Sequence, residues 1–285
     1  MEVYNLVSLL GLFAYICLAW IFSNNRNAVN WRLVAWGVGL QAVFAVFIFQ
    51  VPVGSRFFLW LNDVVVRILE CASAGSQFLF SRLALPPGTE NAAGETSLGF
   101  YLAFQGLPAI IFFSALMAVL YYYGVLPWMI RQFARLFSRL MRISGAESLC
   151  AASNIFVGVE SALTIQPHIR KMTRSELCTV LTCGMATVAS NVLAVYVFSL
   201  QKVFPTIAAH LISASFLSAP AGLVMAKLLY PETETPETLG KDIQVHYEKP
   251  PSVYAAVING AQTGVQLVLN IAALLIAVLG LVALC

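Results

Sequence analysis

SGAESLCAASNIFVGVESALTIQP, residues 144–167, is the stretch on which the fold turns. Two short apolar runs flank Gly158. Ser144, Glu147, Ser148, Ser153, Asn154, Glu160 and Ser161 make the whole too polar for a span that faces lipid. A short helix in, an irregular tip and a short helix back to the same side fit that pattern. Non-helical backbone at membrane depth persists only where protein or a watery cavity covers it, because hydrocarbon offers its amides no partner. The segment is expected to be a re-entrant hairpin, and the first place to look for a site.

On either side lie runs of about 20 apolar residues, the length a bilayer requires: 3–22, 34–53, 104–123, 177–200, 207–230 and 253–284. Pro108 in the third is tolerated where packed neighbours satisfy the freed backbone. Residues 59–83 are apolar but carry Asp63, Arg67, Glu70 and Arg82, which suits an amphipathic helix lying in the interface. Residues 128–142 repeat Arg131, Arg135, Arg139 and Arg142 at intervals of four and three, placing the cations on one helix face. That face suits a headgroup surface on the cytoplasmic side. The expected class is an all-α polytopic membrane protein with about six transmembrane helices, interfacial amphipathic helices and one re-entrant helical hairpin.

Composition agrees. Apolar residues make up 60% and charged ones 10%, against about 25% charged in a soluble domain. A net charge of +3 without a basic run argues against nucleic acid. Six cysteines without a CxxC pair read as packing residues rather than a metal site or disulfide framework. His168, His210 and His246 are not spaced as a metal set, no glycine run makes a phosphate loop, and no enzyme activity is expected. Glu2 and the lack of basic residues in MEVYN argue for a retained first span rather than a signal peptide. With the N-terminus outside, inner regions hold twelve of the 16 Lys and Arg residues, the expected bias. That count requires 144–167 to enter and leave from the cytoplasmic side. The polar, proline-containing run PETETPETLGKDIQVHYEKPP at 231–251 reads as a flexible linker with no site in it.

Four blocks, GLPAIIFFSALMAVLYYYGV at 106–125, SGAESLCAASNIFVG at 144–158, MTRSEL at 172–177 and SAPAGLVMAKLLYPETE at 218–234, resemble the concentrative nucleoside transporter family in order and spacing. The resemblance covers most of the chain. It implies a sodium- or proton-coupled symporter importing nucleosides across the plasma membrane, in bacteria the inner membrane, working as a homotrimer by an elevator-like movement. It also implies an N-terminal transporter domain at 1–83, a nucleoside-recognition gate domain at 100–203 with its hairpin at 144–167, and the start of a C-terminal domain at 204–285. Asn154, the Val157 carbonyl, Thr187 and the Val188 carbonyl match the family's sodium ligands. Sodium, a hard cation, wants such neutral oxygens from a hairpin tip and an unwound span. For substrate, Glu160 lies within one position of the family's hairpin glutamate, and Val192 matches an apolar wall against the base. Glu147, in the first turn of the leading helix, is read as compensating the helix dipole.

Two departures qualify the likeness. The family tip reads glycine, glutamine, serine or threonine, glutamate, alanine, proline, and here it is GVESAL at 158–163. Aligned without a gap, Val159 replaces the glutamine, Glu160 the hydroxyl residue, Ser161 the glutamate and Leu163 the proline; a one-residue gap restores Glu160 to the glutamate position. A base edge facing Val159 loses a donor and an acceptor, which opens the choice of substrate. Second, the family's later hairpin, partly unwound helix and last span do not follow within 285 residues. The expectation is then either a piece of a longer transporter or a chain completed by a partner. The alternative function is a non-transporting gate-domain membrane protein that binds a ligand or needs a partner subunit.

Overall fold

The computed structural model describes residues 3–90, 94–201 and 203–284, apart from the side chains of 3–6, 9, 159, 160, 190 and 191. Among these residues the regular structure is helical: α1 (Val3–Ile21), α2 (Trp31–Phe49), α3 (Pro52–Phe80), α4 (Leu102–Gln105), α5 (Leu107–Tyr122), α6 (Val125–Met141), α7 (Gly145–Val157), α8 (Arg174–Ala186), α9 (Ser190–Leu200), α10 (Ile207–Leu229) and α11 (Val253–Leu284). Among the described residues, four helical stretches are long and apolar enough to cross a membrane: Trp31–Phe49, Leu102–Tyr122, Ile207–Leu229 and Val253–Leu284. The apolar stretch Leu10–Ile21 of α1 is shorter. Residues 177–200 form no single helix, because the chain leaves α8 at Thr187 and re-enters helix at Ser190. The expected interfacial helix is longer than its charge pattern suggested, since α3 starts at Pro52, where proline suits a first helical turn.

Contacts divide the chain into two units. The first comprises Met1–Ser55, Trp128–Ala189 and Ile212–His246. In it α6 turns Ile130, Ala134, Phe137 and Met141 inward, an i, i+4, i+7, i+11 stripe with Ile130 and Phe137 fully buried. Phe133, Phe156 and Phe216 form an aromatic triangle joining α6, α7 and α10, with ring centroids 5.4–6.1 Å apart. Phe44 of α2 meets Phe216 edge-on at 6.4 Å. After α7 the chain returns as a run of 3₁₀ turns, Gly158–Lys171, rather than the second α-helix the sequence pattern suggested. Pro167, which cannot donate to an α-helical ladder, lies inside that run.

The linker expected at 231–251 is, over its first part, a strap laid on α7 and α8. Thr238 accepts from Gly145 N through its carbonyl at 2.9 Å and from Ala146 N through its hydroxyl at 3.2 Å. Leu239 forms an isolated bridge with Ser144, and His246 N donates to the Thr164 carbonyl at 2.9 Å. Gly145 is required here, because a Cβ would run into the Lys241 carbonyl. Asp242 accepts from Arg131 and Arg135 at 3.1 and 3.0 Å. Partial burial alone would push its carboxyl up, but the hydrogen bonds and charges of the two guanidiniums prevail and hold it below the ordinary Asp range. A carboxyl depressed on docking strengthens docking when ionised. Its contribution is complete above the ordinary value near 3.9 and is lost as pH falls through the depressed one. At neutral pH Asp242→Asn is expected to speed hydrogen exchange of 236–246 about twofold to fivefold, the scale of an exposed ion pair. Unchanged exchange would show that the backbone bonds alone hold the strap.

The second unit comprises Arg56–Pro127, Ser190–Leu211 and Tyr247–Cys285. Here α11 lies on α5 through Gly260 and Gly264, a GxxxG pair that lets backbones approach. A Cβ at 264 would sit 2.6 Å from Ile111 Cα, and one at 260 would sit 2.7 Å from the Ser114 carbonyl. Gln105 ties the end of α4 to the carbonyls of Leu83, Leu85 and Gly99 at 2.7–3.1 Å. Tyr121 stacks on Tyr247 at 5.1 Å.

Candidate functional site

Each of the two helices that frame the candidate site starts with a capping box. Ser144 accepts from Glu147 N at 3.2 Å while Glu147 Oε2 accepts from Ser144 N at 3.2 Å. Thr173 and Glu176 repeat the arrangement for α8 at 3.1 and 2.8 Å. The motif [Ser/Thr]-x-x-Glu satisfies two orphan amides reciprocally and fixes where each helix begins.

Glu147 does more than face a helix dipole. Its Oε1 lies 2.5 Å from Lys227 Nζ of α10 and accepts from the Thr179 hydroxyl of α8 at 2.8 Å. Glu147 is 1% exposed and Lys227 6%, so the pair is withdrawn from solvent. Lys227 also donates to Ser175 Oγ at 2.8 Å and to Glu232 Oε2 of the strap at 3.3 Å. Glu232 in turn accepts from the Thr173 hydroxyl at 2.9 Å. One buried lysine therefore joins α7, α8, α10 and the strap. Sequence reading missed Lys227, although a lone cation in the apolar run SAPAGLVMAKLLY is the signal that marks such a partner.

Seven residues beyond Glu147, two helical turns and about 10 Å along α7, stands Asn154, which is fully buried. Its Oδ1 accepts from Thr187 Oγ1 at 3.2 Å, and its Nδ2 is buried with no hydrogen-bond partner. Thr187 ends α8 in an extended conformation, φ −117° and ψ 151°, and begins the three-residue break before α9. Gly158 ends α7 at φ +76°, and a Cβ on it would lie 2.5 Å from Ala189 Cβ and 2.6 Å from Ala189 Cα. The tip of α7 is thus seated on the break. The structure brings together Asn154 and Thr187 through side chains, and the backbones that carry the Val157 and Val188 carbonyls through the Gly158–Ala189 contact.

The side chains of Val159 and Glu160 lie outside the described residues. Val192 is half-buried on α9, in the second unit. Ser161, the ungapped counterpart of the family glutamate, is buried with its hydroxyl 3.5 Å from Cys150 Sγ. Leu163, at the family's proline position, is 62% exposed. Ser153 Oγ and Thr164 Oγ1, 3.1 Å apart, help pin the 3₁₀ limb to α7.

Comparison with known proteins shows which family the chain resembles. Three family models match in order: Na+ dependent nucleoside transporter N-terminus over residues 10–83, Nucleoside recognition over 103–203, and Na+ dependent nucleoside transporter C-terminus over 210–285. The chain is 39% identical to Solute carrier family 28 member 3 of Rattus norvegicus over 279 residues, 97% of this chain and 37% of that one. It is 38% identical to an uncharacterized transporter of Haemophilus influenzae over 280 residues, 98% of this chain and 64% of that one. Among solved structures, CNTnw in an inward-facing substrate-bound state superposes with a TM-score of 0.88 at 38% identity, covering 99% of this chain and 67% of that one. The chain thus spans between 37% and 64% of the length of these two relatives.

Proposed function

Because the chain belongs to the concentrative nucleoside transporter family, a family of membrane transporters and not of enzymes, we propose that it acts in sodium-coupled import of nucleosides. The observation that carries this reading is the meeting of Asn154 Oδ1 and Thr187 Oγ1, 3.2 Å apart, where the tip of α7 sits on the break between α8 and α9. With the Val157 and Val188 carbonyls they make a donor set of neutral oxygens. Such a set suits a monovalent hard cation, whereas a divalent ion is held by carboxylates. None of the four ligands titrates near neutral pH, which favours sodium over a proton as the coupling ion. A helix break supplies such carbonyls because its residues leave the i to i+4 ladder.

Substrate would be met by Glu160, Val159 and Val192. With valine in place of the family glutamine, recognition of the base would rest less on hydrogen bonds and more on shape. Around this site we place about six transmembrane helices, α7 with its 3₁₀ return as a re-entrant hairpin, the interfacial helices α3 and α6, and domains at 1–83, 100–203 and 204–285. The protein would sit in the plasma membrane with its N-terminus outside, as a homotrimer.

The test is uptake of labelled uridine and adenosine by cells expressing the protein, with sodium or proton gradients imposed separately. Uptake should follow the sodium gradient. Asn154→Ala and Thr187→Ala should each raise the sodium concentration for half-maximal uptake about tenfold, the scale of one lost bond to a charged partner. Uptake indifferent to sodium, with both variants like wild type, would refute the ion site.

A further inference from the structure

Between α6 and the strap lies a cleft of 210 Å³ that the transport site does not use, lined by Arg135, Arg139 and Lys241 together with Asp242 and Ser138. Its floor is the first turn of α7, at Gly145 and Ser148. The amides of that turn are already taken: Gly145 N and Ala146 N bond to Thr238, and Glu147 N to Ser144. Anything bound here would be recognised by side chains, not by a helix terminus.

The charges do not balance. Asp242 serves Arg131 and Arg135, and no ion pair among the described residues engages the side chains of Arg139 or Lys241. Two cations facing one cleft repel each other unless an anion sits between them. From these observations we propose that the cleft is a binding site for a phosphate group, supplied by the headgroup of an anionic phospholipid. A phosphate presents enough oxygens to take a fork from Arg139 and a point contact from Lys241 together. At 210 Å³ the cleft is well above the roughly 10–15 Å³ that a single water needs, room for a phosphate with some hydration.

Lipid is the favoured source because of α6. Its inner stripe is buried in protein, its arginines share the opposite side, and Trp128 near its start is 64% exposed. An exposed tryptophan beside an arginine row in a membrane protein marks the headgroup level. Arg139 belongs to the helix and Lys241 to the strap, so a shared phosphate would fasten one to the other. Strap and hairpin would then be held more firmly in anionic membranes.

The test is native mass spectrometry of the whole protein released from membranes containing phosphatidylglycerol and phosphatidylcholine. Wild type should retain phosphatidylglycerol selectively. The Arg139→Ala/Lys241→Ala variant should retain it about thirtyfold more weakly, given roughly a tenfold effect or less for each basic residue at an anionic surface. Arg170→Ala, an exposed cation away from the cleft, should behave as wild type. Both cleft side chains are exposed, and a thermal melt checks that the double variant is folded. If wild type retains no lipid but added inorganic phosphate raises its melting temperature, and the double variant loses that rise, the site stands as one for free phosphate. Binding of lipid and phosphate that is indifferent to the two substitutions overturns it.

Discussion

Replacing Lys227 by methionine is expected to destabilise the first unit by about 3–5 kcal/mol, the cost of leaving one partner of a buried ion pair without the other. Methionine keeps the length and apolar stem of lysine, so the loss isolates the charge. In the variant Glu147 would remain 1% exposed with its Oε1 facing Thr179 alone. The reciprocal change should be milder. Glu147→Gln keeps one acceptor oxygen, for Ser144 N, and turns its amide N–H toward Thr179 Oγ1, which can accept it while donating to the Ser175 carbonyl; Lys227 still has Glu232 and Ser175. The order of melting temperatures in mild detergent should therefore be wild type, then Glu147→Gln, then Lys227→Met. The double variant Lys227→Met/Glu147→Gln should recover much of the loss, because it removes the orphaned charge. A Lys227→Met protein that melts with wild type would mean the lysine is not buried against Glu147 in the membrane.

That pair also marks where sequence reading stopped. The apolar runs were legible because a bilayer demands about 20 such residues in a row, and α2, α5, α10 and α11 follow them closely. Residues 144–167 stood out through polar residues that a lipid-facing span would not carry, and the family likeness picked Asn154 and Thr187, which the structure joins at 3.2 Å. Glu147 was read as a dipole partner because its local setting, three residues after Ser144, accounts for it completely. Its stronger partner lies 80 residues away, and periodicity carries no information on such distances. The strap failed to show for the same reason. Pro, Thr and Glu in PETETPET are what a solvated linker has, and only the folded chain reveals that Glu232, Thr238 and Asp242 each meet a specific group on α6, α7, α8 or α10. The GxxxG at Gly260 and Gly264 was in plain view, but its use depends on which helix it faces.

Gly158→Ala is expected to remove most sodium-stimulated uptake and to cost about 3 kcal/mol or more in stability, from two sources that can be separated. The first is conformational: φ +76° with ψ −142° is backbone that residues with a Cβ avoid, at about 1–3 kcal/mol. The second is contact: the new Cβ would stand 2.5 Å from Ala189 Cβ and 2.6 Å from its Cα, and overpacking of that kind costs about 1–3 kcal/mol. Gly240 provides the comparison, since it has φ +72° with nothing within 4 Å of the Cβ it lacks. Gly240→Ala should therefore show only the conformational cost and keep uptake. Adding Ala189→Gly to Gly158→Ala removes the Cβ–Cβ clash but not the approach to Cα, so rescue should be partial. The loss of uptake follows from geometry. Ala189 belongs to the same break as Thr187, so pushing the tip of α7 off it by even 1 Å, roughly the relief a Cβ needs, stretches a 3.2 Å bond to beyond hydrogen-bonding range. The neutral oxygens proposed to hold sodium would then no longer converge. Should Gly158→Ala instead match Gly240→Ala in both melting and uptake, the tip does not rest on the break when the ion is bound, and the four oxygens must be gathered by a different movement.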